Sequence, residues 1–154
     1  MPIPKLIAGE LPPGVHKTSL DEISKSFGST NDRRKLLMVG LIRAAQNFKA
    51  GGVGEIYVDG SFTTAKELPN DVDGCWSAID ADPASVDPVF WKFDSPQEFE
   101  QVNRKQMKDK YHLDFYVAEW PSNSQGRPFP DYFQTNRSGE PKGILLVDLS
   151  KEDS

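Results

Sequence analysis

Apolar positions recur along the chain with two different periods, and the switches between them mark out the elements. Thr18 and Ser19 offer a helix cap three or four residues ahead of Glu22, and Leu20, Ile23 and Phe27 follow at helical spacing until Gly28 stops the run. A second start signal, Ser29-Thr30-Asn31-Asp32, precedes a longer segment in which Leu37, Leu41, Ala44 and Phe48 recur at steps of three and four up to Gly51-Gly52. Two helices are predicted, the longer of which should pack on a sheet. Its opposite face carries Arg33, Arg34, Arg43 and Lys49 and reads as solvated.

Beyond Gly52 the pattern changes. Residues 54–59 form a β-type run halted at Gly60, and a second run covers residues 71–79. Residues 81–93 contain Asp82-Pro83 and Asp87-Pro88, which disfavour a regular element and allow at most a helical turn. Ser95-Pro96-Gln97-Glu98 is a cap with proline at the first helical position, and Phe99, Val102, Gln106 and Met107 continue that helix to about Lys110. Residues 111–119 then alternate like a strand, 121–130 form a loop, 132–142 are polar and turn-like, and 143–149 (GILLVDL) read as a last strand. Strands interspersed with helices predict an α/β (α+β) fold, a mixed sheet packed against helices, in one domain over residues 18–150. Pro2, Pro4, Pro12, Pro13 and Gly14 make residues 1–17 an extended arm lying against that domain, and residues 151–154 are expected to be a disordered tail.

Bulk properties narrow the classes. A length of 154 residues suits a single core, and 37% hydrophobic with 27% charged residues is the composition of a globular chain. Nothing resembles a secretory signal or approaches the apolar length of a membrane span, so the expected location is the cytoplasm, away from membranes. The lone Cys75 excludes an internal disulfide framework, and with only His16 and His112 beside it a structural zinc site is not expected. A net charge of −5 opposes adhesion to duplex nucleic acid and suits a nucleotide-sized or protein partner.

The chemistry concentrates in residues 58–76, VDGSFTTAKELPNDVDGCW. Gly60 at a strand end lets the backbone turn sharply and approach a ligand, and Ser61 offers a hydroxyl and an N–H together, with the further help of a helix N-terminus if a helix begins there. Asp71 and Asp73, one residue apart on a strand, leave the same face with Cα atoms roughly 6.6 Å apart. Carboxylates so close repel one another, and a bound Mg²⁺ or Mn²⁺, which takes oxygen ligands, removes that repulsion. Two-metal chemistry needs a third carboxylate, and Asp114 suits it: Leu113, Phe115 and Val117 form a core face while Asp114 points to the other side, placed to bind metal or to accept the proton of an attacking hydroxyl.

Gly60-Ser61, nine intervening residues, Asp71-Val72-Asp73 and a later strand aspartate resemble the signature of the polymerase-β-type nucleotidyltransferase superfamily. Together with LPPGVH near the start, the RRKLL helix and the segment from Arg137 to Gly143, they resemble a small prokaryotic group related to minimal nucleotidyltransferases, including antitoxin-type members. The resemblance implies a nucleotidyltransferase-like fold and Mg²⁺-dependent transfer of a nucleoside monophosphate from an NTP to a protein, a small molecule or an RNA end. Ser61 would contact the triphosphate, the three aspartates the metals, and Lys66, Arg137 and Lys142 would add positive charge at the nucleotide. The pattern departs from the family at Asp59, where an apolar residue is commoner, and in a connecting loop without arginine. A different class of function is a binding module with this fold, an antitoxin paired with a toxin encoded nearby or a nucleotide sensor. The plainest reading leaves the carboxylates as strand-edge solvation, Cys75 as a small packed side chain, and Trp76, Trp91 and Trp120 as core or rim.

Overall fold

A computed structural model of the chain describes residues 2–122 and 126–152. Its strands are β1 (Gly14–Thr18), β2 (Glu55–Asp59), β3 (Val72–Trp76), β4 (Leu113–Val117) and β5 (Gly143–Asp148). They form one mixed sheet in the order β1-β5-β2-β3-β4, in which β2 runs antiparallel to both β5 and β3, while β1 with β5 and β3 with β4 are parallel pairs. The mixed sheet with helices agrees with the α/β expectation. The proline-rich arm does more than lie against the domain: its last residues are edge strand β1, and Pro12 and Pro13 stand just ahead of it, where no ladder N–H is required.

The helices begin where their caps stand. Ser19 accepts a hydrogen bond from Glu22 N at 3.2 Å to open α1 (Leu20–Phe27), and Asn31 accepts from Arg34 N at 2.8 Å to open α2 (Asp32–Ala50). Gly40 lets α2 come close to the chain that leads into β4, since a Cβ there would stand 1.9 Å from the Tyr111 carbonyl oxygen. After the 3₁₀ turns Pro83–Ser85 and Pro88–Phe90, a third helical run is built from α3 (Pro96–Glu98), a π-helical turn (Phe99–Asn103) and α4 (Arg104–Tyr111). The π turn changes the phase of the expected stripe: Val102 is exposed, and Asn103 is buried instead, donating to the carbonyls of Val89 at 3.1 Å and Lys92 at 3.0 Å.

One face of the sheet carries the core. Ile56, Val58, Val72, Trp76, Leu113, Phe115 and Val117 pack against Leu37, Leu41 and Phe48 of α2, and Phe48 stacks on Trp76 and Phe115 with ring centres 5.4 and 6.0 Å apart. Alternation along β2, β3 and β4 sends Tyr57, Asp59, Asp73, Cys75, Asp114 and Tyr116 to the other face. Among the described residues that face is only partly covered, by the chain around the short helix α5 (Phe129–Tyr132), where Cys75, Ala118 and Phe129 form a second small apolar cluster. The expected tail is partly ordered: Lys151 ends a 3₁₀ turn, and Glu152 accepts from Leu20 N at 3.0 Å and from the Lys49 ammonium. Residues 153 and 154 lie outside the described residues.

Arg34 departs from the solvated face on which periodicity places it. It is 4% exposed, and its guanidinium donates to the carbonyls of Phe27 (3.1 Å), Phe62 (2.6 Å), Thr64 (2.8 Å) and Lys66 (2.6 Å). A helix period sees only local spacing, whereas three of the four partners lie 28 to 32 residues away in the loop after Gly60. Arg34 therefore pins the loop that leads from β2 to β3. Arg34→Ala should cost about 2–4 kcal/mol in urea unfolding because it leaves buried carbonyls unpaired, and Arg34→Lys should recover only part, since an ammonium lacks the planar fork. Full recovery by lysine would contradict this role.

Candidate metal and nucleotide site

Strand register builds the site. Asp73 of β3 stands opposite Asp59 of β2 on one side and Asp114 of β4 on the other, so three carboxylates occupy one row across three neighbouring strands. Asp71, just ahead of β3, joins them. One oxygen from each of Asp71, Asp73 and Asp114 lies within 4.8 Å of the other two, which is the spacing of ligands around a single cation.

Positive charge answers this row unevenly. Arg104 grips Asp114 with two parallel bonds, Nε to Oδ1 at 2.9 Å and Nη2 to Oδ2 at 2.7 Å, and these bonds hold the guanidinium above its ordinary pKa. Lys108, one turn further along α4, stands 3.7 Å from Asp71 and 3.6 Å from Asp114. Lys142 bonds to Asp59, which is 4% exposed and whose burial still raises its pKa against that pairing. Among the described residues, Asp73 alone of the four carboxylates has no cationic partner. Burial first, and then the charges of Asp71, Asp114 and Asp59, push its pKa up to about 8.

Gly60 shapes the backbone against this group. Its φ is +82°, and a Cβ added there would fall 2.1 Å from Asp73 Oδ2. The glycine expected to make room for a ligand thus makes room for Asp73 itself. Ser61 follows at the head of a 3₁₀ turn, Ser61–Thr63, whose carbonyl accepts from Thr64 Oγ1 at 2.7 Å. Three residues are too few for a helix dipole, so any phosphate contact here rests on the Ser61 hydroxyl and turn N–H groups. An all-oxygen donor set around a carboxylate without a cationic partner among the described residues fits a hard divalent cation.

The predicted basic residues divide. Arg137 lines a cleft of about 750 Å³ that also has Asp73, Asp114 and Arg104 on its wall. Lys142 is held by Asp59, which accounts for the unexpected aspartate before Gly60. Lys66 is exposed and borders a different depression beside Asn31 and Arg34, away from the carboxylates; its carbonyl, bonded by Arg34, turns the loop in that direction. Arg104 is the residue that sequence reasoning missed. Its signal was the spacing Glu100-Arg104-Lys108, one charged stripe along the helix that enters β4. Cys75, on the Asp73 face, is buried in the small apolar cluster, and burial raises its thiol pKa, consistent with a packing role. His112 is not on β4 with Asp114: it closes α4 in the left-handed conformation at φ +59°.

Two outcomes follow from Asp73 and Gly60. Because the folded state raises the Asp73 pKa above its value of 3.8 in the free side chain, the protonated form favours folding; with chelator present, the contribution of Asp73 to stability should be full below pH 4 and should be lost as pH rises towards 8. Thermal melts across this range check the trend, which Asp73→Asn should flatten, Mn²⁺ should oppose most strongly at the alkaline end, and a flat wild-type profile would contradict. Gly60→Ala should cost about 1–3 kcal/mol through strain at positive φ and displacement of Asp73, and should weaken Mn²⁺ binding in calorimetry. Unchanged affinity would show that Asp73 is not seated by this glycine.

No helix among the described residues is long and apolar enough to cross a membrane. No curated protein and no solved structure matches the chain significantly. A family model does match, over residues 5–148, and the chain accordingly belongs to DUF6932, a family of unknown function.

Proposed function

We propose that the chain is a metal-dependent nucleotidyltransferase that moves a nucleoside monophosphate from an NTP to an acceptor that is a protein side chain, a small molecule or an RNA end. The observation that carries this reading is Asp73, a carboxylate without a cationic partner among the described residues, set between Asp59 and Asp114 on adjacent strands and clustered with Asp71 and Asp114. Asp71, Asp73 and Asp114 would hold Mg²⁺ or Mn²⁺, which when bound supplies charge neutralisation for the phosphates and orients an in-line displacement. Ser61 offers its hydroxyl to the triphosphate, and Arg137 brings positive charge to the cleft that the carboxylates open onto. Arg104 fixes the Asp114 carboxylate by both oxygens, so that it faces the cleft in one orientation.

Arg104 also supports a second reading. A guanidinium on both oxygens of Asp114 competes with a cation for the same lone pairs, which suits a module that holds an NTP or a protein partner, as an antitoxin or nucleotide sensor, with little or no turnover.

Each NTP, labelled on its α-phosphate, incubated with Mg²⁺ or Mn²⁺ and with the protein itself, products of adjacent genes and tRNA, separates the two. Transfer lost by at least about a hundredfold in Asp71→Asn with Asp73→Asn supports catalysis, a loss of the size expected when electrostatic stabilisation of a transition state is removed. NTP binding without any transfer supports the binding module, and neither binding nor transfer would reject both.

A further inference from the structure

The open face of the sheet holds more than carboxylates. Beside Asp114 the cleft of about 750 Å³ is walled by Phe99, Tyr116, Trp120, Phe129, Tyr132 and Phe133. These rings touch in sequence: Phe99 and Tyr116 at 5.4 Å between centres, Tyr116 and Phe129 stacked at 4.3 Å, Phe129 and Phe133 at 5.6 Å. They come from the π turn, β4 and the segment around α5, so three separate parts of the chain converge on one space.

Covering the sheet does not by itself account for the arrangement. Phe129 already closes over Cys75 and Ala118, yet among the described residues the cleft stays open, and Tyr132 remains 47% exposed on its wall. The volume lies within the range of small-molecule pockets, which are apolar walls with a few convergent polar groups; here those groups are Asp73, Asp114, Arg104 and Arg137 at the same cleft. The Arg104 guanidinium lies 5.7 Å from the centre of the Tyr116 ring, so the charged end and the aromatic end are continuous.

A ligand that fits is charged at one end and flat at the other. We propose that this cleft is a nucleoside site, in which a nucleobase stacks against the aromatic wall at Tyr132 while the sugar points to the carboxylates and Arg137. This rests on the transferase reading only for which nucleoside is bound: the base of the donor NTP, or that of a nucleoside acceptor. Aromatic stacking suits any base, so the site recognises ring shape more than base identity.

Calorimetry on the full chain tests it, with the four NTPs, the four nucleosides and inorganic tripolyphosphate, each with and without Mn²⁺. At least one nucleoside or NTP should bind more tightly than tripolyphosphate by about tenfold or more, and Tyr132→Ala should weaken that ligand by about fivefold or more while leaving tripolyphosphate unchanged. Tyr132→Phe, which keeps the ring, should retain the affinity. Displacement of the nucleoside by an NTP supports the site as the donor's, and simultaneous binding of both supports it as an acceptor's. Nucleoside binding that depends on Tyr132, without tripolyphosphate binding in Mn²⁺, supports the cleft and rejects the transferase reading. The proposal is overturned if neither nucleosides nor NTPs bind more tightly than tripolyphosphate, or if Tyr132→Ala leaves their affinity unchanged.

Discussion

Repulsion between carboxylates set side by side on adjacent strands is the constraint around which the open face of this protein is arranged. Asp59, Asp73 and Asp114 share one register row, and Asp71 stands at its edge. Three of the four are answered by side chains from other parts of the fold: Lys142 ahead of β5, and Arg104 and Lys108 on α4. The middle one, Asp73, is answered by none of them and is seated against the bare backbone of Gly60. A fold that supplies three cations around a row and leaves its centre uncompensated retains a place for a fourth positive charge.

Such a row can persist because its backing is rigid. Phe48, Trp76 and Phe115 stack behind the same strands that carry the carboxylates in front, and alternation converts each strand into a core face and a site face. The loop between β2 and β3 would otherwise be free to wander, and Arg34 ties three of its carbonyls to the end of α1 at Phe27. On the other flank, the π turn at Phe99–Asn103 sets the phase of α4, which carries Arg104 to Asp114 and leaves Phe99 facing the cleft. Packing, loop anchoring and charge placement thus meet at one end of three strands.

How much of this was visible in the chain follows from range. The Asp71 and Asp73 pair and the facing of Asp114 are local properties of alternation, and the register brings them together as that alternation requires. The helix caps at Ser19, Asn31 and Ser95 are local as well, and each forms its bond. Arg34, and Arg104 within its Glu100-Arg104-Lys108 stripe, do not stand out as anchor or site residues because a charged side chain at helical spacing looks the same whether its partner is water, a loop carbonyl or a carboxylate on a distant strand. Edge strand β1 was hidden for a like reason: its partner β5 lies at the far end of the sequence, and prolines precede it. Lys66 is the reverse case, since it stands near Gly60-Ser61 in sequence but borders a depression with Asn31 and Arg34 rather than the cleft lined by Asp73 and Asp114.

The central claim is that Asp71, Asp73 and Asp114 form one divalent-cation site. Anomalous diffraction from crystals grown with Mn²⁺ at alkaline pH tests it most directly. The account predicts a single strong peak at about 2.0–2.3 Å from an oxygen of each of the three aspartates. A peak elsewhere, or none beside Asp73 while Arg104 and Lys108 keep their hold on Asp114 and Asp71, would contradict it.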